Sequence, residues 1–338
     1  MSAAATDRRG SARALTLAND HLIVRVSPEE GAEISHLARP EGPNALARYD
    51  WAAPLPATRG ASYGRTDLDW LSRFRGGWQE LFPNAGDECV VDGVPLAFHG
   101  EASLAAWDVV EASPSACTLR TAVRLPLVLT RRMSLSSDRA ALRIEESVVN
   151  ESDLEVPFLW GHHPAFPAVP GAHVDLPSCR VRAEPRMAGG LGDATGDWPH
   201  LLDEHGHQRA LDVVPDEQVV RIVYAERMAG SWAALRQPGG VPSIAMAWDG
   251  DAFPVMWLWL QNGTSEFPWY GRARVVGLET HTAAPFDGLA AACDRGEAHR
   301  LGPRETMTAW FTISLIDDPG VPITGVTREG AIQVGGRR

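Results

Sequence analysis

Alternation of apolar and polar residues at every second position constrains this chain more than any other feature. In Thr306–Ile316 the residues Met307, Ala309, Phe311, Ile313 and Leu315 alternate with Thr308, Trp310, Thr312 and Ser314. Ile244, Met246 and Trp248 repeat the pattern. Successive side chains of a strand face opposite sides of its sheet, so this period predicts half-buried strands. Val255–Leu260 (V-M-W-L-W-L) is apolar at every position and predicts a central strand covered on both faces. Gly42-Pro43, Pro238-Gly239-Gly240 and Gly302-Pro303 punctuate the runs. No stretch holds a 3.6-residue period over three turns, so no helix longer than about three turns is expected. The pattern predicts an all-β chain, a sandwich or barrel, with one continuous core.

Neither an internal repeat nor a linker divides the sequence. Residues 14–326 are therefore read as one domain, with a disordered start over 1–13 and a tail over 327–338. Two polar segments are candidate site loops: Ala57–Leu71, which leads into Arg75-Gly76-Gly77, and Met187–His207. Loops on a rigid scaffold are where binding groups concentrate, although a plain surface excursion explains the second equally well.

Composition excludes several classes of function. The formal net charge is -12 and no basic stripe occurs, which argues against nucleic acid as a partner. Cys89, Cys117, Cys179 and Cys293 are far apart, so neither a disulfide framework nor a cysteine metal site is expected. Met1–Ala14 lacks the apolar stretch of a signal peptide, and no run of about 18 apolar residues predicts a membrane helix. A cytoplasmic location is the default expectation.

Four segments place polar or ionisable groups in apolar or glycine-rich surroundings. They are Arg75–Asn84 (R-G-G-W-Q-E-L-F-P-N), Pro95–Glu101 (P-L-A-F-H-G-E), Phe158–Phe166 (F-L-W-G-H-H-P-A-F) and Val275–Thr280 (V-V-G-L-E-T). Singly, each has a bland reading: a histidine beside aromatic residues is more often a hydrogen-bonded core residue than a catalyst. In this order they resemble the aldose 1-epimerase (galactose mutarotase-like) family, over most of the chain. Leu15–Val26 with the following P-E-E-G-A-E-I-S resembles its first strand pair. F-H-G-E resembles its H-G motif, H-H-P-A-F its N-H-x-Y-F segment, and L-E-T the segment of its catalytic glutamate.

The resemblance implies a β-supersandwich of large antiparallel sheets with the site in a cleft on one broad sheet. It implies an isomerase that interconverts the α and β anomers of an aldose, with no cofactor and no metal. By it Glu279 is the general base, His163 the general acid, His99 a hydrogen-bond donor to the ring, and Arg75 an orienting group for hydroxyls. Residue chemistry supports the pair independently, because a carboxylate and an imidazole can each be poised near neutral pH by their surroundings. His162 and His163 are adjacent on a predicted strand, so only one of them should line the site. Trp160, Trp257 and Trp259 are candidates for stacking on a sugar, Trp160 foremost, although core packing is the commoner fate of such residues. The family's sugar-gripping Asp in a D-H-x-F segment is missing here. Asp249 is the candidate substitute, and a turn residue is its plainer reading.

Three rivals remain open. A binding module would keep the aromatic residues but need no His163–Glu279 pair. A glycoside hydrolase or lyase would need two facing carboxylates, roughly 5–9.5 Å apart, of which Glu101 and Glu279 are candidates. A metal enzyme would have to use His99, His162, His163 and a carboxylate together, which adjacent strand histidines make awkward. An acidic or phosphorylated sugar would call for cations near the cleft, with Arg65, Arg73 and Arg75 as candidates. The expected partner is a small-molecule sugar, with neither nucleic acid nor membrane, on a monomer or homodimer.

Overall fold

A computed structural model describes residues 14–50, 64–193 and 195–335. Alternation becomes strand almost wherever it occurs, and the strands assemble into two large antiparallel sheets. The ten-stranded sheet runs, from one edge to the other, through Leu15–Ala18, Ile23–Ser27, Glu33–Ala38, Trp78–Leu81, Gly161–Pro167, Arg274–His281, Val255–Asn262, Val219–Glu226, Arg180–Ala183 and Gly196–Asp197. The eight-stranded sheet runs through His173–Asp175, Trp232–Arg236, Ser243–Trp248, Thr306–Ile316, Ala141–Asn150, Leu127–Leu135, Ala116–Ala122 and Asp108–Ala112. This is the all-β supersandwich that the sequence predicts.

The sheets pack face to face. Phe311 of the smaller sheet meets Trp78 and His162 of the larger one at ring-centroid distances of 4.9 and 5.0 Å. Val255–Asn262 is central, paired with Arg274–His281 on one side and Val219–Glu226 on the other. Its even-numbered residues Met256, Leu258 and Leu260 share one face and Trp257, Trp259 and Gln261 the other. The second of these faces looks away from the sandwich and forms part of a cleft floor.

Helix is confined, among the described residues, to Thr66–Arg73, Gly288–Arg295 and a 3-10 turn at Pro185–Met187. None of these helices is long and apolar enough to cross a membrane. Thr66–Arg73 corrects part of the expected loop over Ala57–Leu71; the part before Gly64 lies outside the described residues. Asp67 and Asp69 sit in its first turn and Arg73 in its last, matching the helix dipole, and Trp70 stacks on Phe74 one turn later with centroids 5.2 Å apart.

The C-terminal stretch also differs from expectation. Rather than a tail after Thr327, Ile332–Val334 pairs with Ile323–Val326 in a hairpin laid on the back of the smaller sheet. Thr312 and Ser314 donate hydrogen bonds to the carbonyls of Arg328 and Gly330 there (2.7 and 2.9 Å), which satisfies two polar side chains buried on that face. A small second cluster of Ala234, Ala245 and Ile323 lies under this hairpin, apart from the main core.

Candidate active site

Adjacent residues of Gly161–Pro167 point to opposite faces of the large sheet, and the two histidines separate accordingly. His162 faces the core. Its Nδ1 accepts from Trp78 Nε1–H (3.1 Å), which leaves its Nε2–H to donate to Glu146 Oε2 (3.0 Å). Arg131 joins the group, donating from Nε to Glu146 Oε1 (2.7 Å) and pairing with Glu80. Ligand atoms of Glu80, Glu146 and His162 lie within 4.8 Å of one another, but Arg131 already supplies the cation between the two carboxylates.

His163 faces outward, into an aromatic enclosure. Trp70, Phe74 and Trp259 surround its ring at centroid distances of 5.2, 5.3 and 5.4 Å. Its Nε2 lies 3.5 Å from Glu279 Oε1. Both side chains are almost fully covered, and burial drives their proton affinities in opposite directions. It lowers the His163 pKa to about 4 and raises that of Glu279 well above the ordinary carboxyl range. Two glycines make the room. A Cβ on Gly277 would stand 2.4 Å from Glu279 Oε1, and one on Gly161 would stand 2.0 Å from His281 Nδ1. Gly277 thus leaves its space to the Glu279 carboxylate.

His281 is a site residue that sequence reasoning missed. Its Nε2 is 3.4 Å from Glu279 Oε2 and its ring stacks on Trp257, with centroids 3.5 Å apart. Burial, with the neighbouring histidines, holds its pKa well below normal. The signal was available, since residues 279 and 281 share a face by period two.

His99 reaches the same enclosure from a different segment. It sits at φ +58° beside Gly100, whose own φ is +72° and whose Cβ would collide with Phe82 O at 2.4 Å. Only glycine fits the second of these positions, which is the physical content of the H-G pair. Gly86 N–H donates to His99 Nδ1 (3.0 Å), so a neutral His99 carries its proton on Nε2. Burial, then repulsion from His163, keeps it neutral. Its ring lies 5.8 Å from that of His163.

His99, His163 and Glu279 border a cavity of about 650 Å³, also lined by Trp70, Trp257, Trp259, Trp269, Phe286, Gln261, Arg186 and Met187. Thus His163, His99 and Glu279 converge from three distant segments, while three other expected site residues do not line the cavity. Arg75 sits at a chain reversal: its carbonyl accepts from Tyr49 N–H (3.0 Å), and Gly76 and Gly77 follow at φ +79°. A Cβ on Gly76 would lie 2.0 Å from Ala47 O, so R-G-G serves a close backbone crossing. Trp160 has the parity of His162 and faces the core, where its Nε1–H donates to Glu80 and its ring packs on Phe253 at 5.2 Å. Asp249 is a turn residue; Asp251 N–H donates to its Oδ1 (3.2 Å) and Phe253 N–H to its carbonyl (2.9 Å). Trp257 and Trp259, not Trp160, are the tryptophans of their group that face the cleft. Glu101, the second carboxylate considered for a hydrolase, does not line the cavity either; it accepts from Arg124 N–H (2.7 Å).

Residues 9–315 match the model of a family described as a domain of unknown function, DUF4432. The chain belongs to that family. No curated protein matches the sequence. Among solved structures, Slr1438 from Synechocystis sp. PCC 6803 superposes with a TM-score of 0.65 at 16% identity, over 93% of this chain and 99% of that one. A candidate aldose 1-epimerase from Escherichia coli K12 gives 0.64 at 19%, over 90% and 98%. A galactose mutarotase related enzyme from Lactobacillus acidophilus gives 0.61 at 18%, over 90% and 97%. At such identities the likeness establishes the fold: this DUF4432 member has the galactose mutarotase-like architecture, as its sequence predicts.

Proposed function

We propose that the protein is an aldose 1-epimerase, opening and reclosing a sugar ring with Glu279 and His163. One observation carries the reading: a carboxyl and an imidazole 3.5 Å apart, in an aromatic cleft, with proton affinities shifted toward each other. Between the two shifted pKa values the pair holds one proton. Glu279-COOH with neutral His163 and Glu279-COO⁻ with protonated His163 contain the same atoms, so the proton belongs to the pair.

Anomerisation needs that arrangement. The hydroxyl oxygen O1 and the ring oxygen O5 are bonded to the same carbon, so an acid and a base standing side by side can serve both. Opposite faces of the ring are not required. In the charged form Glu279 takes the O1 proton and the O1–H electrons become the second C1–O1 bond. The C1–O5 electrons return to O5, which receives the His163 proton. The aldehyde turns about C1–C2, and closure runs the transfers backward with the roles exchanged. His99 donates its Nε2–H to a sugar oxygen, and His281 holds the second oxygen of Glu279. Every step is proton transfer between side chains and sugar, so the chemistry calls for no cofactor.

Polarimetry of freshly dissolved single anomers tests the reading. Glu279→Gln keeps shape and hydrogen bonding but removes the base, and should lower turnover by about 10²-fold or more with binding little changed. A Glu279→Gln protein that anomerises sugars at the normal rate would sink the assignment in favour of a sugar-binding module.

A further inference from the structure

The catalytic pair sits at one end of the cleft floor. Gly161–Pro167, which carries His163, has Trp78–Leu81 as its other neighbour, and Gln79, the outward residue there, does not line the cavity. The floor extends only the other way. It passes from Glu279 to Trp257 and Trp259, and then to Val220 and Ile222, following the cross-strand pairs Trp257↔Glu279 and Ile222↔Trp259. His163 and Ile222 are three strands apart, about 14 Å at the usual spacing. A pyranose held at the pair covers the first part of this floor and leaves the rest open. Volume agrees: at about 30 Å³ of liquid per water, 650 Å³ holds on the order of twenty water-sized groups, the size of a disaccharide and well beyond one hexose.

Charge narrows the ligand further. The described lining contains two arginines against four carboxylates besides Glu279, namely Asp67, Asp87, Glu88 and Glu266. Both arginines are engaged: Arg65 Nη2 pairs with Asp67 (2.6 Å), and Arg186 pairs with Asp87 (2.6 Å) and Glu184 (2.9 Å). Neither Arg73 nor Arg75 lines the cavity. Among the described residues the lining is net negative and its cations are already neutralised, which disfavours an anionic sugar. Indole faces and aliphatic groups on the floor suit the C–H faces of uncharged sugar rings.

Given the mutarotase reading, on which this step rests, we propose that the substrate is the reducing end of a neutral disaccharide or longer oligosaccharide. Its reducing ring lies at Glu279 and His163, and the next ring lies over Trp259 toward Val220 and Ile222.

The test compares glucose and galactose with maltose, cellobiose and lactose, and with glucuronate and glucose 6-phosphate, following mutarotation by polarimetry and binding by calorimetry. At least one neutral disaccharide should exceed its own reducing-end monosaccharide in kcat/KM by about ten-fold or more, because contacts remote from C1 help to hold the reacting ring. Ile222→Trp, which fills the far floor, should bring that ratio toward one. Monosaccharides turned over as well as disaccharides, or a preference for the uronate or phosphate, would overturn the inference and leave the mutarotase reading standing. Disaccharide binding without any anomerisation would overturn the reading and keep the ligand class. Neither binding nor turnover with any of the seven sugars would overturn both.

Discussion

Gly277 and Glu279 show how much of the site depends on a side chain that is absent. Because a Cβ at 277 would stand 2.4 Å from Glu279 Oε1, Gly277→Ala must push the carboxyl away from His163. A displacement approaching 1 Å costs about 10²-fold in a positioned reaction. Kinetics of Gly277→Ala should therefore show kcat falling far more than KM rises. Glu279 also lends itself to a stability measurement. Its pKa is raised by burial, so the folded state retains a proton that the unfolded chain releases near the ordinary carboxyl pKa. Its contribution to stability is complete below that value and is lost as pH rises through the folded pKa. Glu279→Gln cannot ionise and escapes the loss. It should be more stable than the natural protein at pH 8, with the advantage shrinking toward pH 4, as read from denaturation midpoints across that range. At this scale the sequence was legible where parity decides. That only one of residues 162 and 163 lines the site follows from adjacency, and the same rule, applied from His163 to Trp160 and from Glu279 to His281, would have corrected one assignment and supplied the other. Arg75 was misread, and Asp249 stood between two readings, because a turn residue and a ligand-binding residue look alike until the backbone path is known.

Single strands connect the cleft to the core. Gly161–Pro167 presents His163 to one side and His162 to the other, so the packing of His162 fixes the strand that carries the imidazole proposed as the acid. That packing depends on Arg131, fully buried between Glu80 and Glu146. Glu146 shows the balance of forces: burial alone would raise its pKa, yet His162 and Arg131 together pull it below the usual value. Removing one member of such a group leaves buried charge uncompensated, typically at a cost of about 3–5 kcal/mol. Arg131→Met should show a loss of that order in chemical denaturation. Replacing Arg131, Glu80 and Glu146 together with apolar residues of similar volume should cost much less. Part of this network is readable in sequence, since Arg131 and Glu146 are directly opposed in the hairpin of Leu127–Leu135 and Ala141–Asn150. Glu80 belongs to the other sheet, and nothing in a period-two pattern says which distant strand will face it. The helix Thr66–Arg73 escaped the pattern for a simpler reason: at eight residues it is too short to display a 3.6-residue period over three turns.

For the whole molecule, the sandwich buries three histidines and a carboxyl around one cleft, and stability should register it. His99, His163 and His281 are all held neutral, chiefly by burial, with pKa values below the ordinary imidazole value. In the unfolded chain each takes up a proton as pH falls through about 6.5, and in the folded chain none does so until far lower, near 4 for His163. The unfolded state therefore binds more protons in this window, and stability falls as pH falls. Each such group contributes up to about 1.4 kcal/mol per pH unit over the interval between its two pKa values. Glu279 and Glu33, whose pKa values burial raises, act in the opposite sense, but His36 and His299, lowered by burial too, join the three, so two groups stand against five. The expected outcome is a denaturation midpoint that drops between pH 7 and pH 5, well before ordinary carboxylates protonate. The natural protein alone does not identify the source of that slope; His163→Asn does. Removing this histidine should flatten the acid-side loss while abolishing turnover, since the same ring supplies the acid of the proposed reaction. A His163→Asn protein with an unchanged pH–stability curve would mean that His163 is freely protonated in the folded state. The proton shared with Glu279 would then lose its physical basis.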